Sequence, residues 1–422
     1  MRVVVAALTH SSTNLQNDDL LYVEMAHELI ATGVLDTGDF VRPPLYFLFI
    51  AALSLGNAPW MVALKGVQCI AGTLVAVPVY GVARRIGGTF AARVAAAVVL
   101  FDPTLIAYCH LLWPETLYLL LVTWVFARAT LLRVGSGWRI PVLGAVTGLA
   151  MLLKPVFGLF TLFLAGAWWR DHGFRPALRI ALGFGLATAL VISPWVIRNQ
   201  RAYGASILLE NQGPYNLWVG NTKDSPFEVL EEWRALPDPV ARSRAGMQRG
   251  LAAIAEAPID FVNRSIAQGL NVWGFEFFVI RNLIFGGYGS VAPATLLAAF
   301  WTIQLAWTLV LALAALGVRR ARHDRGFALI LGFAVALTLL VGTMVGTTRF
   351  RVPLTLLVAV SAGVGAEQLR ARRLEARDLV AAGLAGIVLF HSFTRPVFVR
   401  IIGAQYEKVE ELRDPAWFFF RY

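Results

Sequence analysis

LYFLFIAALSLG, residues 45–56, is the segment on which the topology turns. It is apolar and preceded by Arg42-Pro43-Pro44. Its twelve residues rise only ~18 Å as a helix, against ~30 Å of bilayer hydrocarbon, so it reads as an interfacial or re-entrant helix. If it crossed, Asp18 and Glu115 would face opposite sides, and no single site could use both carboxylates.

Outward from it, apolar runs near span length recur at 62–83, 90–108, 116–132, 177–196, 292–316, 326–345 and 352–369, with a shorter one at 378–393. Two more, 140–153 and 156–169, flank Lys154-Pro155 and read as a helical hairpin with the Lys at its tip. Residues are 58% hydrophobic and 15% charged, with mean hydropathy +0.65. Soluble domains carry about 25% charge. The class is therefore an all-α polytopic membrane protein, a bundle of about ten or eleven transmembrane helices, because a helix satisfies its own backbone in lipid.

The net charge of +11 does not indicate nucleic acid, since the basic residues sit in short loops between spans rather than on one soluble face. The loops at Arg84/Arg85, Arg133/Arg139, Arg170/Arg175/Arg179, 319–325 and 370–377 are the cytoplasmic ones by the positive-inside rule. The opposite side receives Asp18 to Arg42, His110 to Glu115, Lys154, a loop of roughly ninety residues after Trp195, and Thr347 to Arg351. The division is a membrane module at 1–196, an extracytoplasmic inserted region at 197–290 with amphipathic helices at 240–256 and 258–273, C-terminal spans at 291–393 and a tail at 394–422. Cys69 and Cys109 lie in or beside apolar segments and suggest neither a disulfide framework nor a metal cluster. Met1 to Leu8 has one Arg and too few apolar residues for a signal-peptide core.

Chemistry-bearing residues gather on the noncytoplasmic side. NDDLLYVEMAHELIATG, 17–33, reads as a capped helix with Asp18 and Tyr22 on one face. Asp18 and Asp19 could simply complement the helix dipole, a reading as strong as catalysis on composition alone. Their place at the membrane surface opposite Glu115 tips the balance. Glu115, after Pro114, heads a span, where an ionisable residue is a functional candidate as well as a favourable N-terminal charge. His110 has no metal-ligand spacing around it. Arg42, Lys154, Arg349 and Arg351 would singly be taken as snorkelling cations. Together, on the side that should be poor in them, they suit a lipid phosphate.

In order, DDLLY (18–22), RPPLYFLFIAAL (42–53), VYGVARRIGG (79–88), WPETLYLLL (113–121), GLAMLLKP (148–155), PWVIRN (194–199), NLWVGN (216–221) and RFRVPL (349–354) resemble the GT-C membrane glycosyltransferases. That group includes protein O-mannosyltransferases and lipid A aminoarabinose transferases. The resemblance implies a GT-C-type bundle and transfer of a sugar from a polyprenyl-phosphate donor to an extracytoplasmic acceptor, usually with inversion and without a nucleotide. Asp18 matches the first acid of the family's Asp-Glu pair, a general base or acceptor-orienting group, and Asp19 stands where Glu is usual. Glu115 matches the second acidic position and Arg42 a donor-phosphate contact. Lys154, Arg349 and Arg351 fall where further donor contacts are expected, with Tyr22, His110, Arg198 and Asn199 in support. A divalent metal is allowed at the acids but not demanded, and no cofactor is certain. The family has a full first span ahead of DDLLY where this sequence has MRVVVAAL, which reads as an internal start or a truncated copy.

The expected partners are the donor lipid, an extracytoplasmic acceptor and the bilayer, with no nucleic acid. The expected location is a bacterial inner membrane, the excess of Arg over Lys and the many Ala marking a GC-rich genome. The alternatives are a transporter or flippase of lipid-linked sugars, disfavoured by acids at span ends and no evident half-repeat, and an inactive scaffold.

Overall fold

The computed structural model describes residues 15, 18–35, 38–55, 60–129, 137–205, 207–284 and 291–394. The stretch MRVVVAAL and the tail beyond Thr394 lie outside the described residues. Among the described residues all regular structure is helical.

Five helices are long and apolar enough to cross a membrane: Trp60–Phe101, Phe174–Tyr203, Ala294–Ala321, Arg325–Gly342 and Thr348–Arg370. The first, at 42 residues, would rise ~63 Å unbroken, about twice the hydrocarbon thickness. It breaks at Gly88, whose φ of 81° and ψ of −172° suit a residue without a Cβ. The two apolar runs read at 62–83 and 90–108 thus meet at a kink beside Arg84 and Arg85.

Leu45–Ser54, the deciding segment, is a ten-residue helix, ~15 Å long and too short to span. Its inner face buries Tyr46, Phe47, Ile50 and Ala51. The Leu45 N–H donates to Leu152 O at 3.1 Å, and the Tyr46 hydroxyl to Gln68 Oε1 at 2.7 Å. The hairpin expected around Lys154 forms from Arg139–Met151 and Leu159–His172, joined through an extended Lys154 and the 3-10 turn Pro155–Gly158. Phe126, Phe157, Phe160 and Phe333 pack beneath its tip, with ring centroids 4.7 Å apart for Phe126–Phe160 and 5.4 Å for Phe160–Phe333. That cluster fixes where Lys154 emerges.

In lipid, helices associate through close packing rather than expulsion of water, so small residues sit at their crossings. Pro293–Ala321 crosses Thr355–Arg370 with Gly317 against Ser361 and Gly365. A Cβ on Gly317 would strike the Ser361 carbonyl and the Gly365 nitrogen, both backbone atoms. Gly317→Ala is therefore expected to cost about 1–3 kcal/mol, read as a lower unfolding midpoint in detergent. An unchanged midpoint would mean the two helices separate without penalty.

The bundle has two chemically distinct ends. At one, Arg85 pairs with Asp324 at 3.0 Å, and Arg319 with Glu375 at 2.6 Å and Asp378 at 2.7 Å. These contacts gather three loops that the positive-inside rule assigns to one side. At the other end lie Asp18, Arg42, Glu115, Lys154 and Arg349. This end also carries Gln212–Val219, Pro226–Ala235, Pro239–Glu256, Pro258–Trp273 and Phe278–Ile284. Asp238 caps the third of these helices, accepting from the Val240 and Ala241 N–H groups. Trp218, Val229, Trp233 and Val345 form a second small core, against which Phe40 and Tyr215 pack. The Trp233 indole donates to Asp39 O at 3.0 Å, and Arg234 pairs with the Asp39 carboxylate at 2.7 Å. The chain leading to Arg42 is thereby pinned to the inserted region.

Candidate functional site

The helix Asp18–Thr32 begins with its two acids at the head and buries Asp19, Tyr22, Val23, Met25 and Ala26. Glu115 opens Glu115–Ala129 after Trp113-Pro114 and is fully buried. These helix heads are joined by Arg349, from the 3-10 turn Thr348–Leu354. Its Nη1 donates to Asp18 Oδ2 at 2.6 Å, and its Nε and Nη2 reach Glu115 Oε1 at 2.7 and 2.6 Å. The guanidinium lies 4.3 Å from the Trp113 ring centroid and 5.5 Å from that of Phe278, which fix its plane. Lys154 donates to the same Glu115 Oε1 at 2.8 Å. Arg42 stands 3.7 Å from Asp18 Oδ1, packed against the rings of Tyr22 and Phe40. Asp18, Arg42, Glu115, Lys154 and Arg349, up to 331 positions apart, thus form one cluster.

The two neighbouring aspartates differ electrostatically. Burial would raise the Asp18 carboxyl, but Arg349 and Arg42 outweigh it and hold it well below the usual carboxylate range. Burial pushes Asp19 up to about 7, with Asp18 adding to the rise and a 2.8 Å bond from the Leu112 N–H opposing it. Asp19 therefore keeps its proton to a higher pH than Asp18 does. Tyr22 packs edge-on to Tyr46, with centroids 5.0 Å apart, and walls the cluster beside Arg42. His110 is buried in the turn ahead of Glu115.

Three expected residues sit elsewhere. Arg351 shares a short turn with Arg349 but faces away, because a 3-10 helix rotates about 120° per residue. It donates to Gly274 O, lies 3.5 Å from Glu276 Oε2 and stacks 3.8 Å from the Trp307 ring. This places it in a buried pair apart from the Asp18–Glu115 cluster. Arg198 donates to the Tyr203 hydroxyl at 2.8 Å and to Asn199 Oδ1 at 3.2 Å, and Asn199 donates to Ile207 O at 3.0 Å. Both brace the turn after Phe174–Tyr203 rather than touch the acids.

Two residues not anticipated join the cluster's field. Arg281, on Phe278–Ile284, acts on both Asp18 and Asp19. Glu210 is pushed by burial up to about 7, against the pull of Lys154 and Arg42. Asn211, the next residue, holds it in place: Asn211 Oδ1 accepts from the Val41 N–H at 2.9 Å, beside Arg42. Each is a lone charge in an apolar run, VIRNLI and ILLENQ, the signal that would have flagged them. Among the described residues no group of three or more His, Cys, Asp or Glu converges as a metal-binding set. Guanidinium and ammonium groups engage Asp18 and Glu115, so the acids as arranged do not fit a divalent ion.

Residues 41–197 match the family model of dolichyl-phosphate-mannose-protein mannosyltransferases, a stretch holding Arg42, Glu115 and Lys154. No curated protein matches the chain significantly. Among solved structures the chain is similar to the Archaeoglobus fulgidus oligosaccharyltransferase tethered with an acceptor peptide (15% identity, TM-score 0.48, 97% of this chain and 55% of that one). It is similar to Archaeoglobus fulgidus AglB in complex with an inhibitory peptide and a dolichol-phosphate (12%, TM-score 0.48, 100% and 59%). It is also similar to ArnT from Cupriavidus metallidurans bound to undecaprenyl phosphate (14%, TM-score 0.40, 88% and 78%). The chain spans 55% of the length of the first of these. The likeness to this mannosyltransferase family thus rests on residues 41–197.

Proposed function

We propose that this protein moves a sugar from a polyprenyl-phosphate-linked donor to an extracytoplasmic acceptor, a glycan, lipid or protein, by a single inverting displacement. The observation that carries the reading is the Arg349 bridge between Asp18 and Glu115, flanked by Arg42 and Lys154. It brings carboxylates that can serve as a base and cations that can hold a phosphate into one cluster at one end of the bundle. The Arg-rich loops at the other end support an extracytoplasmic position for the cluster's end.

In this reading an acceptor hydroxyl passes its proton to the Asp18 carboxylate as its oxygen attacks the anomeric carbon. The bond from that carbon to the phosphate oxygen breaks, and its electron pair leaves on the polyprenyl phosphate. Arg42, Lys154 and Arg349 take up the charge that grows there. Drawing Arg349 toward the phosphate loosens its hold on Asp18, which makes the carboxylate a stronger base when the proton must move. Glu115 keeps Lys154 and Arg349 oriented between turnovers.

Transfer from a panel of radiolabelled polyprenyl-phosphate sugars to membrane acceptors tests the proposal. Donor binding without transfer across a complete panel would favour the transporter or scaffold instead. The pH profile tests the second aspartate. Asp19 gives up its proton near pH 7, and the added negative charge beside Asp18 strengthens the base, so kcat/KM is expected to rise as pH climbs through about 7. Asp19→Asn should remove that rise. A rise kept in Asp19→Asn would assign the ionisation to another group, with Glu210 the first to examine.

A further inference from the structure

We propose that the end of the bundle opposite the acids holds a binding site for a phospholipid whose headgroup carries both a phosphate and a glycerol hydroxyl, seated on Arg320, Arg373 and Gln368. The spans Ala294–Ala321 and Thr348–Arg370 end there side by side. Between their ends lie two adjoining clefts, both lined by Arg320, Gln368 and Arg373. The larger, bordered also by Arg319, His323 and the Arg319-paired Glu375, has a volume of about 460 Å³. That is many times the ~30 Å³ share of a single water.

Charge accounting at this end leaves the site cationic. Asp324 is taken by Arg85, Glu367 by Arg370, and both Glu375 and Asp378 by Arg319. Among the described residues Arg320 and Arg373 make no ion pair, although Glu367 lies within the field of both. An exposed arginine pair could be mere positive-inside bias; Gln368 argues otherwise. It is 4% exposed, lines both clefts, and its Oε1 has no hydrogen-bond partner among the described residues. A buried acceptor without a donor is costly. A phosphodiester cannot donate to it, but a glycerol hydroxyl can. The backbone also brings Arg373 over the helix end. Arg372 adopts φ 53°, the conformation glycine usually supplies at a helix terminus. The Arg373 N–H then returns to Gln368 O at 2.9 Å, and the Arg372 N–H to Leu369 O at 3.1 Å. Basic pockets between span ends are the setting in which anionic headgroups bind.

The test is native mass spectrometry of the full chain, with phosphatidylglycerol or phosphatidylcholine titrated into detergent micelles and unfolding midpoints measured in parallel. Phosphatidylglycerol should bind in preference and raise the midpoint, and soluble glycerol 3-phosphate should do neither. Arg320→Gln with Arg373→Gln should weaken phosphatidylglycerol binding about tenfold or more, the loss of one charge-assisted hydrogen bond at least. Gln368→Leu, which keeps both cations, should reduce the preference for phosphatidylglycerol over phosphatidic acid. Arg201→Gln, remote from this end, controls for net charge. Equal binding of both lipids, equal protection by glycerol 3-phosphate, or the same loss in Arg201→Gln would each overturn the proposal. Gln368→Leu guards against misfolding of the double variant: intact phosphatidylglycerol preference there would remove the hydroxyl contact and with it the assigned headgroup.

Discussion

Asp18→Asn is expected to lower glycosyl transfer by about 10²–10⁴-fold, the range a positioned general base contributes. The change is nearly isosteric, and the Asn oxygen can still accept from Arg349 where Asp18 Oδ2 now does at 2.6 Å. The cluster therefore keeps its shape while losing the carboxylate that would take the acceptor proton. Removing one negative charge leaves Arg42 and Arg349 more available to a phosphate, so donor affinity should hold or increase. Transfer rates and donor binding measured together on the purified protein check both halves. Loss of binding along with transfer would point to collapse of the cluster, and transfer within tenfold of wild type would take Asp18 out of the proton-transfer step.

Arg349→Ala should lower both transfer and stability. Arg349 has Asp18 and Glu115 on its two arms, and Glu115 is fully buried. Without it, among the described residues, Glu115 keeps an ion pair only with Lys154, at 2.8 Å, and Asp18 only with Arg42, at 3.7 Å. Breaking a buried pair by removing one partner costs about 3–5 kcal/mol, which should appear as a clearly lower unfolding midpoint. The lost stabilisation of the leaving phosphate should reduce transfer by a further ~10²–10³-fold. Arg349→Lys separates the two effects. Lysine restores a charge between the acids but cannot span both with a planar fork or stack flat on Trp113 as Arg349 does at 4.3 Å. Stability should recover in large part and transfer should not. Full recovery of transfer would mean that charge alone suffices and the two-armed geometry has no catalytic part.

The layout of the membrane helices was legible from residue order because lipid leaves the backbone few options. A run of apolar residues becomes a helix, and its length decides whether it crosses. The shortness of 45–56 was enough to put Asp18 and Glu115 on one side, and both now share Arg349. Lys154 at a hairpin tip followed from two apolar runs around a Lys-Pro pair. Arg42 and Lys154 stood out as cations on the side that should carry few, and Glu115 as an ionisable residue at the head of a span; the three meet in one cluster.

Pairing between distant segments was not legible. Arg349 and Arg351 stand in one string, RFRVP, and share charge, neighbours and side of the membrane. The tight turn at 348–354 sends one to Glu115 and the other to Glu276. Arg198 and Asn199 read as site residues by position, yet their contacts are local to the turn they brace. Sequence by itself determined which segments are helical and which charges share an end, since hydropathy and loop charge act locally along the chain. Tertiary structure alone decided which of those charges meet, and that Asp19 keeps its proton to a higher pH than Asp18, because burial and a partner's field depend on segments distant in the chain.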